Sequence, residues 1–227
     1  MNQPSRSSTG ASGATAALAW WLAAALVPSA LHGQSPAKPA PADTASALAA
    51  HDLHQGLLVA ADPYLTSERS QRQFGKKHPY GAGVLALDVY LRNDTDGPMK
   101  IDLDTLELKV APPGGARQRI EPLTAEETAF RIVLPDGPNP KQRRGPLPGM
   151  TSGSKSKEVS KMEDSLRGQM LGDVVAPHAT LHGFVFFDVS SHFEWVKHAT
   201  FVVPDVSRIP SGEKLFFFEV DLAPAVH

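Results

Sequence analysis

The sequence predicts a mainly β fold, an antiparallel β-sandwich carrying one inserted amphipathic helix and a long Pro/Gly-rich loop. Three observations lead there. Within residues 83–98, Leu85, Leu87, Val89 and Leu91 alternate with Ala86, Asp88, Tyr90 and Arg92, the period of two of a half-buried strand. Residues 180–189 and 214–222 are two further β-prone runs, both rich in phenylalanine. The 227 residues include 20 prolines and 18 glycines, a loop-rich composition that suits a β protein better than a helical bundle.

Taken from the start, residues 1–13 are small and polar, with Arg6 the only charged side chain. An apolar run over 14–27 and a small-residue exit at Pro28-Ser29-Ala30 follow, and the chain turns polar at Gln34. That is the layout of a secretory signal peptide over residues 1–33, with cleavage after Ala30 or Gly33. The run is shorter than the roughly 20 apolar residues a membrane span needs. No twin-arginine pair is present, so the general secretion route is expected, to the periplasm or the medium. A retained N-terminal anchor is the alternative. Residues 34–48, rich in Ala, Pro and Ser, read as a flexible linker. Residues 49–227 then form a single sandwich domain, with an excursion at 135–172.

Gly56 divides the first apolar stretch of that domain and places a strand at Leu57–Ala60. Thr66 opens a helical turn or two within the polar segment 62–82. The long strand of residues 83–93 ends at the turn Asn93-Asp94-Thr95-Asp96-Gly97-Pro98, and shorter strands follow at Met99–Leu103 and Leu106–Val110. Thr124 with Glu127 three residues on is a capping-box pattern, which starts a helix over 125–132. Residues 135–157 are a Pro/Gly-rich exposed loop. Val159, Met162, Leu166 and Met170 then share one face of a helix over 157–171, with Gly172 to end it. Strands at Thr180–Val189, Ala199–Val203 and Lys214–Leu222 close the chain, with a bend or brief helix at 190–195. In the last strand Phe216, Phe218, Val220 and Leu222 form the apolar, core-facing row.

Charge and composition narrow the function. The formal net charge is −2, which excludes the basic footprint of a nucleic-acid binder. Cysteine is absent, so disulfides, thiolate metal sites, a cysteine nucleophile and a lipid-anchored lipobox are all excluded. Among the 9 histidines, His178 and His182 are four apart but fall at a strand, and His192 and His198 straddle a bend, so neither pair has zinc-ligand spacing. Asp94, Asp96, Asp102, Asp104 and Glu107 are dense but lack the register of a calcium loop and read as solvated turn and strand charges. Glu219 and Asp221 share the wet face of a strand. Ser154 and Lys157 make a formal Ser-x-x-Lys match in a loop with no dry pocket to activate the lysine. Lys141, Arg143 and Arg144 form only a small basic patch, and Asn93-Asp94-Thr95 matches the N-glycosylation acceptor. The aromatics Phe184, Phe186, Phe187, Phe193, Trp195, Phe201, Phe216, Phe217 and Phe218 are assigned to the core. No catalytic, cofactor-binding or metal-binding residue is assigned, and no cofactor is expected.

The segments LDVYLRNDTDGPMKIDLDTLEL, LHGFVFFDV and KLFFFEVDL together resemble exported bacterial proteins with an immunoglobulin-like β-sandwich domain, a family whose functions are largely uncharacterised. The resemblance spans about residues 83–110 and 180–222 and implies an immunoglobulin-like sandwich placed outside the cytoplasm. It also implies a non-enzymatic binding or structural role in the cell envelope. It supplies no active-site residues. The expected partner is an envelope protein or surface component, with no nucleic acid, and a membrane only if the N-terminal segment is retained. The alternative is an exported hydrolase or metal-dependent enzyme using His182 or His192 with nearby carboxylates.

Overall fold

The computed structural model describes residues 42–112, 114–135 and 156–226. The segment read as a signal peptide, most of the linker, Lys141, Arg143, Arg144 and Ser154 lie outside the described residues. The helix α1 (Ala42–Ala47) lies within the stretch read as linker, so that stretch is not structureless throughout. The hairpin β1 (His51–His54) and β2 (Leu57–Pro63) follows, turning at Gln55 and Gly56 with φ of 50° and 81°. Both central residues of such a two-residue hairpin turn sit at positive φ, and glycine meets that demand without strain. In α2 (Ser67–Phe74) the side chain of Thr66 accepts the Arg69 N–H, as its position before the helix leads one to expect.

Next come β3 (Val84–Asn93), β4 (Met99–Ile101), β5 (Glu107–Val110), β6 (Gln118–Ile120) and β7 (Pro122–Leu123). The capping box of Thr124 and Glu127 is present, with both reciprocal bonds, at the start of α3 (Ala125–Val133). The chain continues through α4 (Lys157–Arg167), β8 (Val174–Val175), β9 (Thr180–Asp188), β10 (Ala199–Val203), β11 (Val206–Arg208) and β12 (Phe218–Asp221).

These strands form three open antiparallel sheets: a central five-stranded sheet in the order β1-β2-β3-β9-β7, a four-stranded sheet β12-β10-β5-β6 and a three-stranded sheet β11-β4-β8. One face of the central sheet, carrying Leu57, Val59, Leu85, Leu87 and Phe187, shares a core with Leu108, Phe201, Phe218 and Val220 of the second sheet and Met99 and Val175 of the third. Its other face, carrying Val84, Ala86, Phe184 and Phe186, packs against Ala129 and Ile132 of α3 and Val159 and Leu166 of α4. Further along the same face, Ala45 of α1 covers Leu58 and Ala60.

This arrangement overturns the immunoglobulin-like β-sandwich. A sandwich wets the outer face of each sheet, and the alternation in β3 predicts that for Ala86 and Asp88. In fact Ala86 is 1 % and Asp88 6 % exposed, as hidden as the leucines on the opposite side. The helices are not an excursion from a β fold. They form a layer on the central sheet, and the fold is mixed α/β. Small Ala60 and Ala86 leave the floor low enough for helices to approach, while Phe184 and Phe186 supply the apolar contact.

Two local boundaries also move. The helix α4 stops at Arg167 with Gly168 as its cap, so Gly172 does not terminate it and Met170 leaves the helix to bridge Phe184 in parallel. That bridge explains Gly183. A Cβ there would sit 2.6 Å from the Leu171 nitrogen and 2.7 Å from its Cα, so the close passage of residues 169–171 requires glycine. The second change is that β12 begins at Phe218, not at Lys214, leaving Phe216 and Phe217 outside the strand.

Candidate functional site

Polar side chains cluster on the helix-covered face of the central sheet, between the area under α1 and the area under α3 and α4. Strand register places Asp62 of β2 opposite Asp88 of β3, and Tyr90 of β3 opposite His182 of β9. Like charges directly opposite each other repel, and the cluster handles its two carboxylates differently. Asp62 is held in a two-pronged pairing by Arg69 from α2, whose guanidinium also lies 3.9 Å over the Tyr64 ring. That hydrogen bond to Asp62 raises the already high pKa of Arg69. Around Asp88 the Tyr90 hydroxyl donates to Oδ2 at 3.1 Å, and His182 Nδ1 lies 3.5 Å from Oδ1. Burial pushes the Asp88 carboxyl above its ordinary range, against the opposing pull of His182. Burial, and then the Asp88 charge, push the phenols of Tyr90 and Tyr64 upward. His182 also stacks on Tyr90 at 5.2 Å between centroids.

Sequence reasoning missed Asp62, Tyr64 and Arg69 here. The available signal was Asp88 itself, an acid in the middle of an otherwise apolar strand, which demands a partner.

The histidines weighed as catalytic or ligating groups separate. His178 pairs with Asp96 at 2.8 Å on the surface, and His192 pairs with Glu194 at 3.0 Å while stacking on Trp195 at 4.3 Å. The carboxyl of Glu194 is lowered by its own backbone N–H and then by His192. His182 lies near the start of β9 and His192 beyond its end; the six steps to Asp188 alone span about 20 Å at about 3.3 Å per residue. They do not form one site. His78 is not isolated: its Nδ1 accepts the Gly81 N–H at 3.1 Å and its Nε2 lies 3.5 Å from Ser67 Oγ. With Nδ1 accepting, a neutral ring carries its proton on Nε2 and donates to the serine, the wrong sense for activating a nucleophile. Among the described residues no group of three or more His, Asp or Glu side chains is placed to hold a metal ion.

The acidic run does not converge either. Asp94 is bound by Arg92 at 2.9 and 3.0 Å, Asp102 accepts the Asp104 N–H at 3.2 Å, and Glu107 meets Arg119 at 3.0 Å. Glu219 pairs with Lys109 at 3.0 Å, and Asp221 accepts the Ala223 N–H at 3.0 Å. Asn93 is no glycan acceptor. It is 0 % exposed, and its amide nitrogen donates to the carbonyls of Gly97 at 2.8 Å, Ala176 at 3.2 Å and Val175 at 3.4 Å. Its oxygen accepts the Thr95 N–H at 3.0 Å and hydroxyl at 2.7 Å. The tripeptide ties the turn after β3 to β8.

The feature that stands out to solvent is Phe216–Phe217, 74 % and 56 % exposed, where the core was expected. These residues carry the chain from β11 to β12. The terminal strands β1 and β12 of two sheets meet here. Side chains of the first hairpin, not a strand, satisfy two amides: the Gln55 amide oxygen accepts the Phe216 N–H at 2.7 Å and the Asp52 carboxylate accepts the Glu219 N–H at 3.0 Å. His54 stacks on buried Phe218 at 3.9 Å, and Arg208 donates to the Gln55 carbonyl at 3.1 Å. The charges nearby are paired among themselves, Lys214 with Asp205, Arg208 with Glu213 and Glu219 with Lys109. The bond to Asp205 raises the Lys214 ammonium.

No family model and no curated protein sequence matches the chain. A solved structure described as a functionally unknown protein from Listeria monocytogenes EGD-e is similar at 12% identity and a TM-score of 0.31, over 68% of this chain and 70% of that one. A likeness of that degree transfers neither fold nor function. The mixed α/β architecture itself corrects the immunoglobulin-like family resemblance drawn from the three aromatic and acidic segments.

Proposed function

We propose that the chain is an exported, non-enzymatic domain that binds a protein of the cell envelope through Phe216 and Phe217. The observation that carries this reading is that pair: two adjacent phenyl rings left in water, 74 % and 56 % exposed, on backbone held by Gln55. Aromatic side chains, phenylalanine among them, are enriched at the cores of protein interfaces. A nucleic-acid surface calls for unpaired cations, and the cations around this pair are already matched by carboxylates. Export rests on the apolar run and small-residue exit of residues 1–33.

The test is capture from envelope fractions by the wild-type domain and by a Phe216→Ser/Phe217→Ser variant of equal thermal stability, then titration of the purified captured protein. The reading expects at least tenfold weaker binding by the variant and a mature chain that begins near residues 31–34 by mass. Equal binding by both forms overturns it. A second reading, an exported hydrolase, has the 3.5 Å approach of His182 to Asp88 in its favour. It requires turnover that His182→Ala abolishes.

A further inference from the structure

We infer that His182 is a proton acceptor positioned by Asp88: the carboxylate holds the ring with its proton on Nδ1, and Nε2 meets water as an unprotonated base. This rests on the exported-hydrolase reading and is independent of the aromatic pair.

Register supplies the geometry. Tyr90 stands opposite His182, and Asp88, two residues from Tyr90, lies on the same face of the sheet. Those positions bring His182 Nδ1 to 3.5 Å from Asp88 Oδ1 and lay the imidazole on the Tyr90 ring, 12° from parallel. The stack fixes the plane of the ring, and the carboxylate fixes which nitrogen points inward. Hydrogen bonds of a catalytic pair are often this long until substrate binds. An ionised carboxylate accepts and cannot donate, so in the neutral ring the nitrogen facing it carries the proton. That is the opposite tautomer to the one at His78, where a backbone N–H occupies Nδ1. Asp62 does not compete for the imidazole, because both of its oxygens already accept from Arg69.

The outer nitrogen is free. Among the described residues no hydrogen bond reaches His182 Nε2, and the one buried side-chain nitrogen or oxygen without a partner is Ser70 Oγ. Nε2 therefore reaches water. A base oriented by a buried acid, with its lone pair at the surface, takes a proton from water or from a substrate hydroxyl. Asp88 is also costly where it sits, since an ionised carboxyl at that depth destabilises the fold. A tie between β3 and β9 needs no ionisable acid, and acids buried at such a cost gather at functional sites. With an ester as substrate, water gives its proton to Nε2 as its oxygen bonds to the carbonyl carbon. The ester C–O bond then breaks, the departing alkoxide takes the proton from Nε2, and acid and alcohol leave.

The experiment takes two readouts from the isotope-labelled, full-length mature chain. NMR shifts of the imidazole nitrogens at pH about 8.5, where an ordinary histidine is neutral, report the tautomer. Nitrophenolate release from 4-nitrophenyl acetate reports the reactivity. At His182 the Nδ1–H form is expected to exceed the Nε2–H form about tenfold or more, the bias that a hydrogen bond to a charged acceptor sustains. Ester cleavage is expected to fall about tenfold or more in His182→Gln. In Asp88→Asn the amide oxygen accepts from Tyr90 and the NH2 group faces Nδ1, so the ring turns to the Nε2–H form and cleavage falls as far. His192→Gln, which changes a surface imidazole paired with Glu194, lowers cleavage less than about twofold. An Nε2–H ring in the wild type overturns the positioning by Asp88; cleavage that still needs His182 then leaves the hydrolase reading standing. An Nδ1–H ring with cleavage unchanged in His182→Gln overturns the base, and the hydrolase reading falls with it.

Discussion

Replacing Asn93 by aspartate exchanges a single heavy atom, the amide nitrogen for an oxygen, and reverses the electrostatics of a sealed site. The amide nitrogen faces three carbonyl oxygens at 2.8, 3.2 and 3.4 Å, with no access to water. In Asn93→Asp an acceptor takes the place of that donor. About two hydrogen bonds of roughly 1 kcal/mol each are lost, and buried carbonyls are left facing a like-polarity oxygen at about 1–3 kcal/mol. A loss of about 3–5 kcal/mol at pH 7 follows, on the order of 10 °C in Tm for a chain of this size. The sign with pH is fixed as well. A carboxyl buried among carbonyls has its folded-state pKa raised, so its penalty is absent below the unfolded value and grows as pH rises through the folded one. Urea unfolding followed by far-UV circular dichroism at pH 7 and pH 4.5 measures both quantities, with an unchanged m-value securing the comparison. Thr95→Ser, which preserves the acceptor tripeptide, serves as the control and costs little. A deficit below about 1 kcal/mol, or one that does not shrink on acidification, refutes the assignment of Asn93 as a buried tie between β3 and β8.

Asp88→Asn acts in the opposite direction. Burial raises the Asp88 carboxyl above its unfolded value, so the ionised side chain costs stability that returns as pH falls; the variant is more stable than wild type at pH 8, and the two converge in acid. Thermal unfolding across that range decides it, and a variant less stable at pH 8 means that a cation supports the ionised group. Gly183→Ala drives a Cβ into the backbone of Leu171 and breaks the bonds of Phe184 to Gln169 and Leu171, which are 2.8 and 3.1 Å long. The expected loss is about 2–4 kcal/mol, with faster amide exchange at Phe184, and an unchanged Tm contradicts the close passage.

What could be read from the sequence was what nearest neighbours decide. Thr124 with Glu127, Thr66 before α2, and the alternation of Leu85, Leu87, Val89 and Leu91 all depend on residues a few positions apart, and each appears in the structure. The helix layer was hidden because a period of two reports which residues share a face and not what covers that face. Ala86 and Asp88 look like wet positions until α2, α3 and α4 are placed over the sheet. The polar cluster was hidden for the same reason. Asp62, Arg69, Asp88 and His182 come from three strands and a helix spread over 120 positions of chain, roughly the reach of long-range pairing that local pattern does not encode. Asn93 shows the converse error. A tripeptide that matches an acceptor pattern is meaningful only if its nitrogen reaches solvent, and strand β8, about 80 residues later, closes that route.

Phe216 and Phe217 are the instructive failure, because their exposure is decided elsewhere in the chain. Lys214–Leu222 has the composition and alternation of one continuous strand, and by that pattern Phe216 belongs in the core. A strand extends only as far as its neighbour does. The neighbour of β12 is β10, which pairs Thr200–Val203 with Asp221–Phe218 and then meets Pro204. Proline has no N–H to offer a ladder and favours the end of a strand. Pairing therefore stops at Val203 opposite Phe218, and the two residues before Phe218 have no strand of the second sheet beside them. The first hairpin takes the strand's place with side chains, Gln55 and Asp52, which satisfy single amides but cover no phenyl ring. An apolar pair is thus held on ordered backbone with no lid among the described residues, at the point where two sheet edges meet. Core-like composition with surface placement is the combination on which the proposed binding role rests.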